Sequence, residues 1–190
     1  MSASSGGLSH LADLARLATR CAAELAEPVD RYVALVRRTL KGGGTLFFAG
    51  NGGSAAHAQH VATEYVVRYQ PVRRKAARAI ALSTDSSLIT AAGNDLGFET
   101  IFARQVEAHG RKGDLLVVIS TSGSSANCIA AVEAAKACSV ATVGLLGKDG
   151  GRLRGMVDVA IVVPSEDTAL IQEIQLAIDH HVCAVIEPEL

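Results

Sequence analysis

The sequence has few aromatic residues and almost no net charge. Aromatic side chains make up 4% of its 190 residues, although 49% of the residues are hydrophobic and many of these are alanine. Chains rich in alanine and poor in aromatics usually contain closely packed helices. The formal net charge of -1 does not favour nucleic acid or an anionic membrane as a partner. We interpret the short basic run Arg73-Arg74-Lys75 as a solvated loop.

Targeting segments and paired cysteines are also missing from the sequence. The first ten residues, MSASSGGLSH, have neither the cationic nor the apolar part of a signal peptide, and no apolar run approaches the length of a membrane span. None of the four cysteines belongs to a C-x-x-C pair, and each lies in an apolar, helix-like context: Cys21, Cys128, Cys138 and Cys183. We therefore expect buried free thiols in a cytoplasmic protein with no membrane partner.

Helical and strand-like segments alternate along most of the chain. Residues 8–41 predict two helices separated at Pro28, a hairpin whose apolar stripes need a partner. The partner is the domain behind it or the same hairpin of another subunit, and we expect both. Five apolar runs then predict strands, each followed by a helix or turn: 45–49, 78–84, 115–119, 140–146 and 157–163. We also expect a cap at Asp85, a turn at Gly93-Asn94-Asp95 and a last helix at 167–186.

This alternation predicts a three-layer α/β/α sandwich. Its five-stranded parallel sheet is expected to have the flavodoxin-like order 2-1-3-4-5, with helices on both faces. At 190 residues the chain is long enough for one domain with a sizeable core. We expect that domain to span residues 1–190, with the helical hairpin at 8–41 and the α/β core at 45–187.

A glycine turn follows the first predicted strand. In Gly50-Asn51-Gly52-Gly53-Ser54, three glycines allow positive φ and a close approach of a ligand to the backbone. Ser54 is predicted to cap the helix that begins at Ala55, and the N-terminus of that helix suits an anion. His60 and Glu64 are four residues apart, so they share one face of this helix.

A second polar loop, Ser120–Ser125, follows the third predicted strand. Its four serines and one threonine precede a helix, and hydroxyls with free backbone N–H groups suit a phosphate monoester. Its spacing is not that of a nucleotide-binding loop, and an ordinary serine-rich turn is the alternative. Because strands 1 and 3 are neighbours in the predicted order, we expect the two loops to face each other where ligands bind.

A histidine near the end of the chain changes the interpretation of His60 and Glu64. On their own these two residues would be an exposed helix pair. His180 lies on a mostly apolar helix and needs a polar partner if it is buried. Imidazole and carboxylate groups together suit a borderline ion such as zinc.

Several motifs together resemble one family of enzymes. They are GNGGSAAHAQHVATE, LSTD, GND with the following FARQVEAHG, ISTSG, and VPSEDTALIQE with His180 in the final helix. These motifs closely resemble the phosphoheptose isomerases, which are sedoheptulose 7-phosphate isomerases of the sugar isomerase (SIS) superfamily. The resemblance covers residues 45–186, and the N-terminal hairpin is also in place. It implies a SIS domain, a homotetramer and active sites at subunit interfaces.

The resemblance also implies roles for particular residues. Those expected to bind the sugar phosphate are Asn51, Gly52, Gly53, Ser54, Glu64, Asn94, Asp95, Ser120, Thr121, Ser122, Ser125 and Gln172. Those expected to bind one zinc ion are His60, Glu64, Gln172 and His180. Glu64 and His180 are further expected to be the catalytic base and acid.

The implied reaction is an aldose-ketose isomerisation. It converts sedoheptulose 7-phosphate to D-glycero-D-manno-heptose 7-phosphate through a cis-enediol, in the biosynthesis of heptoses. Two alternatives stay open. One is a non-catalytic relative that binds the bacterial replication initiator, although such relatives tend to lack the glutamate found here at Glu64. The other is an isomerase for a different sugar phosphate.

Three positions depart from the family pattern. His57 stands where aspartate is usual and could compete for the ion, Ser124 replaces an asparagine, and Gln175 replaces a histidine.

The expected ligands Gln172 and His180 are eight residues apart, which is about 12 Å along a straight helix and ~80° around it. We therefore regard His180 as the firmer ligand of the two.

Overall fold

A parallel five-stranded sheet forms the centre of the computed structural model, which describes residues 9–190. The sheet has the order β2-β1-β3-β4-β5, which confirms the predicted fold class and strand order. Its strands are β1 Leu46–Gly50, β2 Ala79–Ala81, β3 Leu115–Ser120, β4 Ala141–Gly147 and β5 Val159–Val163. Every residue of β1 and β3 is buried, because helices cover both faces of a parallel sheet.

Seven α-helices surround the sheet in the described part of the chain. They are α1 Ser9–Glu24, α2 Ala26–Lys41, α3 Gly53–Val66, α4 Ser86–Asp95, α5 Ala103–His109, α6 Ala126–Ala137 and α7 Thr168–Ile186. Short 3₁₀ turns lie at Phe98–Thr100, Arg152–Gly155 and Glu187–Glu189. Helices α2, α3 and α7 pack on one face of the sheet, and α5 and α6 pack on the other.

The alternation of side chains along the strands produces these two layers. Phe48 and Val117 point into the core beneath α2, α3 and α7, whereas Phe47 and Leu116 point into the core beneath α5 and α6. This is the period of two that an extended strand imposes. The consequence for the site is that α3 and α7 lie on the same face and contact each other.

The helical hairpin breaks three residues earlier than predicted. The break lies at Leu25, and Pro28 is in the first turn of α2. Proline fits there because its missing N–H group would have no partner in the first turn of a helix. Leu8, the first residue of the predicted hairpin, lies outside the described residues.

The predicted turn at Gly93-Asn94-Asp95 is wrong. These residues form the last turn of α4, and Leu96 N donates to Ala92 O at 2.9 Å. The chain turns two residues later, at Gly97, where φ is 100°. The predicted cap at Asp85 is present, since its side chain accepts a hydrogen bond from Leu88 N at 2.9 Å.

Arg74 also differs from the sequence interpretation. The sequence predicts a solvated run at Arg73-Arg74-Lys75, but the Arg74 side chain is only 5% exposed and forms an ion pair with Glu187. Glu187 is 113 positions away in the sequence, so no local sequence pattern predicts this ion pair.

Within residues 9–190, no helix is both long enough and apolar enough to cross a membrane.

Candidate active site

The two polar loops lie side by side at the carboxyl ends of neighbouring strands. Gly50 at the end of β1 is in register with Ile119 near the end of β3. Beyond the strands, Asn51 and Asn127 exchange two amide hydrogen bonds, each of 2.8 Å. Asn127 is not among the predicted site residues, although it lies in the first turn of the helix that follows the serine loop. This reciprocal pair fixes the two loops against each other.

The glycine turn uses its three glycines for different reasons. Only Gly52 has a positive φ, of 54°. Gly50 ends β1, and a Cβ there would lie 2.8 Å from the Cβ of Ser54. Gly53 begins α3, and a Cβ there would lie 2.8 Å from Nε2 of Gln172. At Gly50 and Gly53, glycine is therefore needed because neighbouring side chains approach closely, and not because the backbone is unusual.

Ser54 does not cap the helix, contrary to the sequence prediction. Helix α3 begins one residue before it, at Gly53, and Gly52 occupies the N-cap without a side-chain hydrogen bond. Ser54 is buried in the first turn, with 5% of its surface exposed, and packs against Gly50. Because the chain is already helical at Gly53, the Ser54 side chain points into the fold and not back along the helix axis.

The serine loop folds into a compact turn with its own hydrogen bonds. Ser120 Oγ accepts from Gly123 N at 3.1 Å and lies 3.3 Å from Ser125 Oγ. Ser122 Oγ accepts from Ser124 N at 3.3 Å. Ser120 is buried and Ser122 is exposed. The loop therefore presents a shaped, hydroxyl-rich surface directly before the N-terminus of α6.

His60, Glu64 and His180 form a tight group between α3 and α7. The Nε2 atoms of the two histidines are 3.0 Å apart, and His60 Nε2 is 3.3 Å from Glu64 Oε1. One ligand atom from each of the three residues lies within 4.8 Å of the others. The Glu64 side chain is 17% exposed and the His60 side chain 48%, so the carboxylate is sheltered but accessible.

The surroundings of His180 favour its neutral form. Partial burial lowers the pKa of His180, and the nearby His60 lowers it further, against the opposing effect of the Glu64 carboxylate. The ring of Tyr69 packs 5.5 Å from the His180 ring, centroid to centroid. A neutral imidazole can ligate a metal or accept a proton through one ring nitrogen and donate the N–H of the other. Two imidazoles and one carboxylate are also a donor set found at catalytic zinc sites, which keep one position open.

The structure does not join every predicted site residue to this group. The Gln172 amide lies against Gly53 at the start of α3, and its role as a fourth ligand stays a prediction. Asn94 and Asp95 are exposed at the end of α4 and hydrogen-bond each other at 2.7 Å. Among residues 9–190, no hydrogen bond or ion pair connects them to the other predicted site residues.

His57 does not belong to the histidine–glutamate group. It is 7% exposed, and its Nε2 atom lies 2.8 Å from Oδ2 of Asp179, which is completely buried. The two atoms lack the alignment that a hydrogen bond requires. Tyr32 on α2 donates to the other carboxylate oxygen at 2.7 Å. Asp179 on α7 thus contacts both His57 on α3 and Tyr32 on α2. Nothing local in the sequence marks a buried acid, so this contact is not predictable from the sequence.

The other two departures lie in different surroundings. Ser124 is exposed on the serine loop. Gln175 is fully buried and donates through Nε2 to Leu145 O at 2.9 Å. Gln175 therefore anchors α7 to strand β4.

This fold and this site define a protein of the SIS class, and the SIS domain family model matches residues 9–147. A phosphoheptose isomerase from Akkermansia muciniphila is 46% identical over 168 residues, which cover 88% of each chain. A solved phosphoheptose isomerase from Neisseria gonorrhoeae is 41% identical with a TM-score of 0.88, covering 95% of this chain and 96% of its own. Another, from Francisella tularensis, is 34% identical with a TM-score of 0.93 and covers 99% and 100%. The chain belongs to the phosphoheptose isomerase family.

Proposed function

We propose that the chain converts sedoheptulose 7-phosphate to D-glycero-D-manno-heptose 7-phosphate. The observation that supports this most directly is the group of His60, Glu64 and His180, held within 4.8 Å on the two helices beside the paired loops. The relatives named above are all phosphoheptose isomerases. A non-catalytic role is disfavoured because the base and the acid that the reaction needs are both present and adjacent.

The proposed reaction moves one proton between neighbouring carbons. Glu64 removes a proton from C1 of the ketose and returns it to C2, because a sheltered carboxylate on one side of the substrate can serve both carbons. His180 gives a proton to the C2 oxygen as the cis-enediol forms. It then takes the proton from the C1 oxygen as the aldehyde forms. Atoms and charges balance, since every proton removed is returned.

The serine loop is proposed to hold the phosphate. Hydroxyls of Ser120, Thr121, Ser122 and Ser125 and the backbone N–H groups at the start of α6 supply hydrogen bonds to phosphate oxygens. The positive end of the helix dipole adds to the attraction. The glycine turn, at Asn51 and Gly52, would then contact the sugar chain between the phosphate and Glu64.

His60, Glu64 and His180 would also hold a zinc ion, because their donor types and their spacing fit one. When bound, zinc would polarise the substrate carbonyl and stabilise negative charge on its oxygen. A carboxylate has two oxygens, so Glu64 can offer one as a ligand and keep the other for proton transfer.

We expect the purified protein to contain about one zinc ion per chain without added metal. His60→Ala should lose most of this zinc, because it removes one of three grouped donors. Metal analysis by mass spectrometry measures both. The matched control is His109→Ala, which changes an exposed histidine at the end of α5 and should keep its zinc. Equal zinc content in the two variants would contradict the site.

The function itself is tested by supplying the substrate. The protein is incubated with sedoheptulose 7-phosphate in deuterated water, and NMR follows the anomeric proton of the aldose and deuterium at C2. We expect the heptose to form at a rate far above that with fructose 6-phosphate. Faster conversion of another ketose phosphate would favour the alternative of a different sugar-phosphate isomerase, and no conversion of any would overturn the proposal.

We further propose a homotetramer in the cytoplasm. An apolar groove between α1, α2 and α7 supports the association, and Cys21, Leu25, Val29, Ile174 and Ile178 are among the residues that line it. A second copy of the chain would cover this groove, and sedimentation equilibrium would measure the number of copies.

The proposed location in the cytoplasm is supported by the four cysteines. All of them are free thiols, which is typical of proteins in a reducing compartment.

A further inference from the structure

The last turn of α3 is closed by an arginine from outside the helix. The final carbonyl groups of a helix have no partner within it. Here the Arg74 guanidinium provides one, since Nη2 donates to the main-chain oxygen of Glu64 at 2.5 Å and Nη1 donates to that of Tyr65 at 2.8 Å. Arg74 therefore binds the backbone of the residue that we assign as the base.

The same arginine is paired with a buried glutamate. Arg74 Nε donates to Glu187 Oε1 at 2.9 Å, and the two side chains are 5% and 3% exposed. Glu187 also accepts from the backbone N–H groups of Tyr69 at 2.7 Å and Gln70 at 2.5 Å. Burial opposes the charge of Glu187, but these hydrogen bonds outweigh it and lower the pKa of this carboxyl. Both charges are thus fully hydrogen-bonded.

The pair connects the two halves of the proposed catalytic group. Glu187 directly follows α7, the helix that carries His180. Tyr69, whose N–H group binds Glu187, packs its ring against His180. On the other side of the ion pair, Arg74 donates to the main-chain oxygen of Glu64. A shift in this pair would therefore move Glu64 relative to His180.

The geometry requires arginine at this position. One planar guanidinium serves two carbonyls of α3, the Lys75 carbonyl and the Glu187 carboxylate. Lysine has a single ammonium group and cannot point at all four acceptors at once. The contacts also go to the backbone rather than to the proposed reacting side chains. Arg74 and Glu187 are therefore suited to position the site without touching the substrate.

We propose that Arg74 and Glu187 are positioning residues that set the distance between the base Glu64 and the acid His180. This inference rests on the proposed function. The inference goes beyond the proposed function because it assigns a role to a buried ion pair that supplies neither a zinc ligand nor a reacting group.

The test compares two arginine–glutamate pairs whose glutamates both lie in the last 3₁₀ turn, Glu187–Glu189. The second pair, Arg37 with Glu189, is more exposed, at 36% and 28%, and among residues 9–190 neither side chain hydrogen-bonds to α3. Arg74→Lys keeps the charge and should lower kcat by about tenfold or more while KM changes less than about threefold, because misplacement of the catalytic groups affects the reacting step. Arg37→Lys should leave both constants unchanged.

A second readout does not depend on turnover. Arg74→Lys should weaken zinc binding, measured by competition with a chelator, by about tenfold, and Arg37→Lys should not. If Arg74→Lys does not fold, Glu187→Gln with the control Glu189→Gln replaces it. If the wild-type protein shows no turnover, the proposed function is overturned. The zinc affinities of Arg74→Lys and Arg37→Lys would then test by themselves whether Arg74 and Glu187 position the site. Unchanged kcat and zinc affinity in folded Arg74→Lys would overturn the inference.

Discussion

Glu64→Gln is expected to lower kcat by about a thousandfold or more while the chain stays folded. General base catalysis by a positioned carboxylate contributes on the order of 10²–10⁴ in rate, and a carboxamide cannot take the proton. The replacement has nearly the same shape, and the side chain is not part of the apolar core, since 17% of it is exposed. Steady-state kinetics with sedoheptulose 7-phosphate measure kcat, and circular dichroism measures the fold and melting temperature.

Two comparisons separate the base from the metal ligand. Glu133→Gln changes an exposed glutamate on α6 and should keep wild-type kcat, which controls for the loss of one charge. Zinc content is then measured in Glu64→Gln. If zinc is retained and turnover is lost, the carboxylate acts as the base. A rate within tenfold of wild type would reject Glu64 in that role.

The strand order and the position of the site were predictable because both depend on local patterns. Short apolar runs mark buried strands, and alternation with helices requires parallel connections. The rule that ligands bind where the strand order reverses then places the loops after β1 and β3 together. The structure shows these loops joined through Asn51 and Asn127. A single sequence was sufficient for this part of the site.

The buried charged contacts could not be predicted in the same way. Asp179 pairs with His57, and Glu187 pairs with Arg74 across 113 positions. Such contacts depend on how α3 and α7 pack, and a charged residue on a helix is usually solvated. The sequence of Arg73-Arg74-Lys75 alone therefore favours a solvated loop. Only the packing shows that the middle residue is buried.

Helix ends were also harder to predict than helix positions. Ser54 has the side chain of a good N-cap, but Gly52 takes that position because the chain needs a φ of 54° there. Gly93-Asn94-Asp95 has the composition of a turn, yet the backbone stays helical through Asp95. In both cases local propensity was overridden by the path that the chain must follow to its next element.

Gly123→Ala is expected to raise KM for the sugar phosphate by about tenfold or more. Gly123 lies in the serine loop with a φ of 61°, and a Cβ there would overlap the carbonyl group of Gly150 and lie 2.9 Å from Gly151 N. These are backbone atoms, so no change of side-chain rotamer can relieve the overlap. Either the serine loop or the segment around Gly150 must move, and a misplaced phosphate loop loses hydrogen bonds to the substrate.

A second glycine separates displacement of the loop from strain in the backbone. Gly43 has a φ of 75°, but a Cβ there would meet nothing within 4 Å. Gly43→Ala should therefore cost only the left-handed backbone term of about 1–2 kcal/mol and leave KM unchanged. Gly123→Ala should be less stable than Gly43→Ala in urea unfolding, because it adds the overlap to the same term. If the two variants have the same KM, the overlap at Gly123 is relieved without displacing the phosphate contacts, and the predicted rise in KM is wrong.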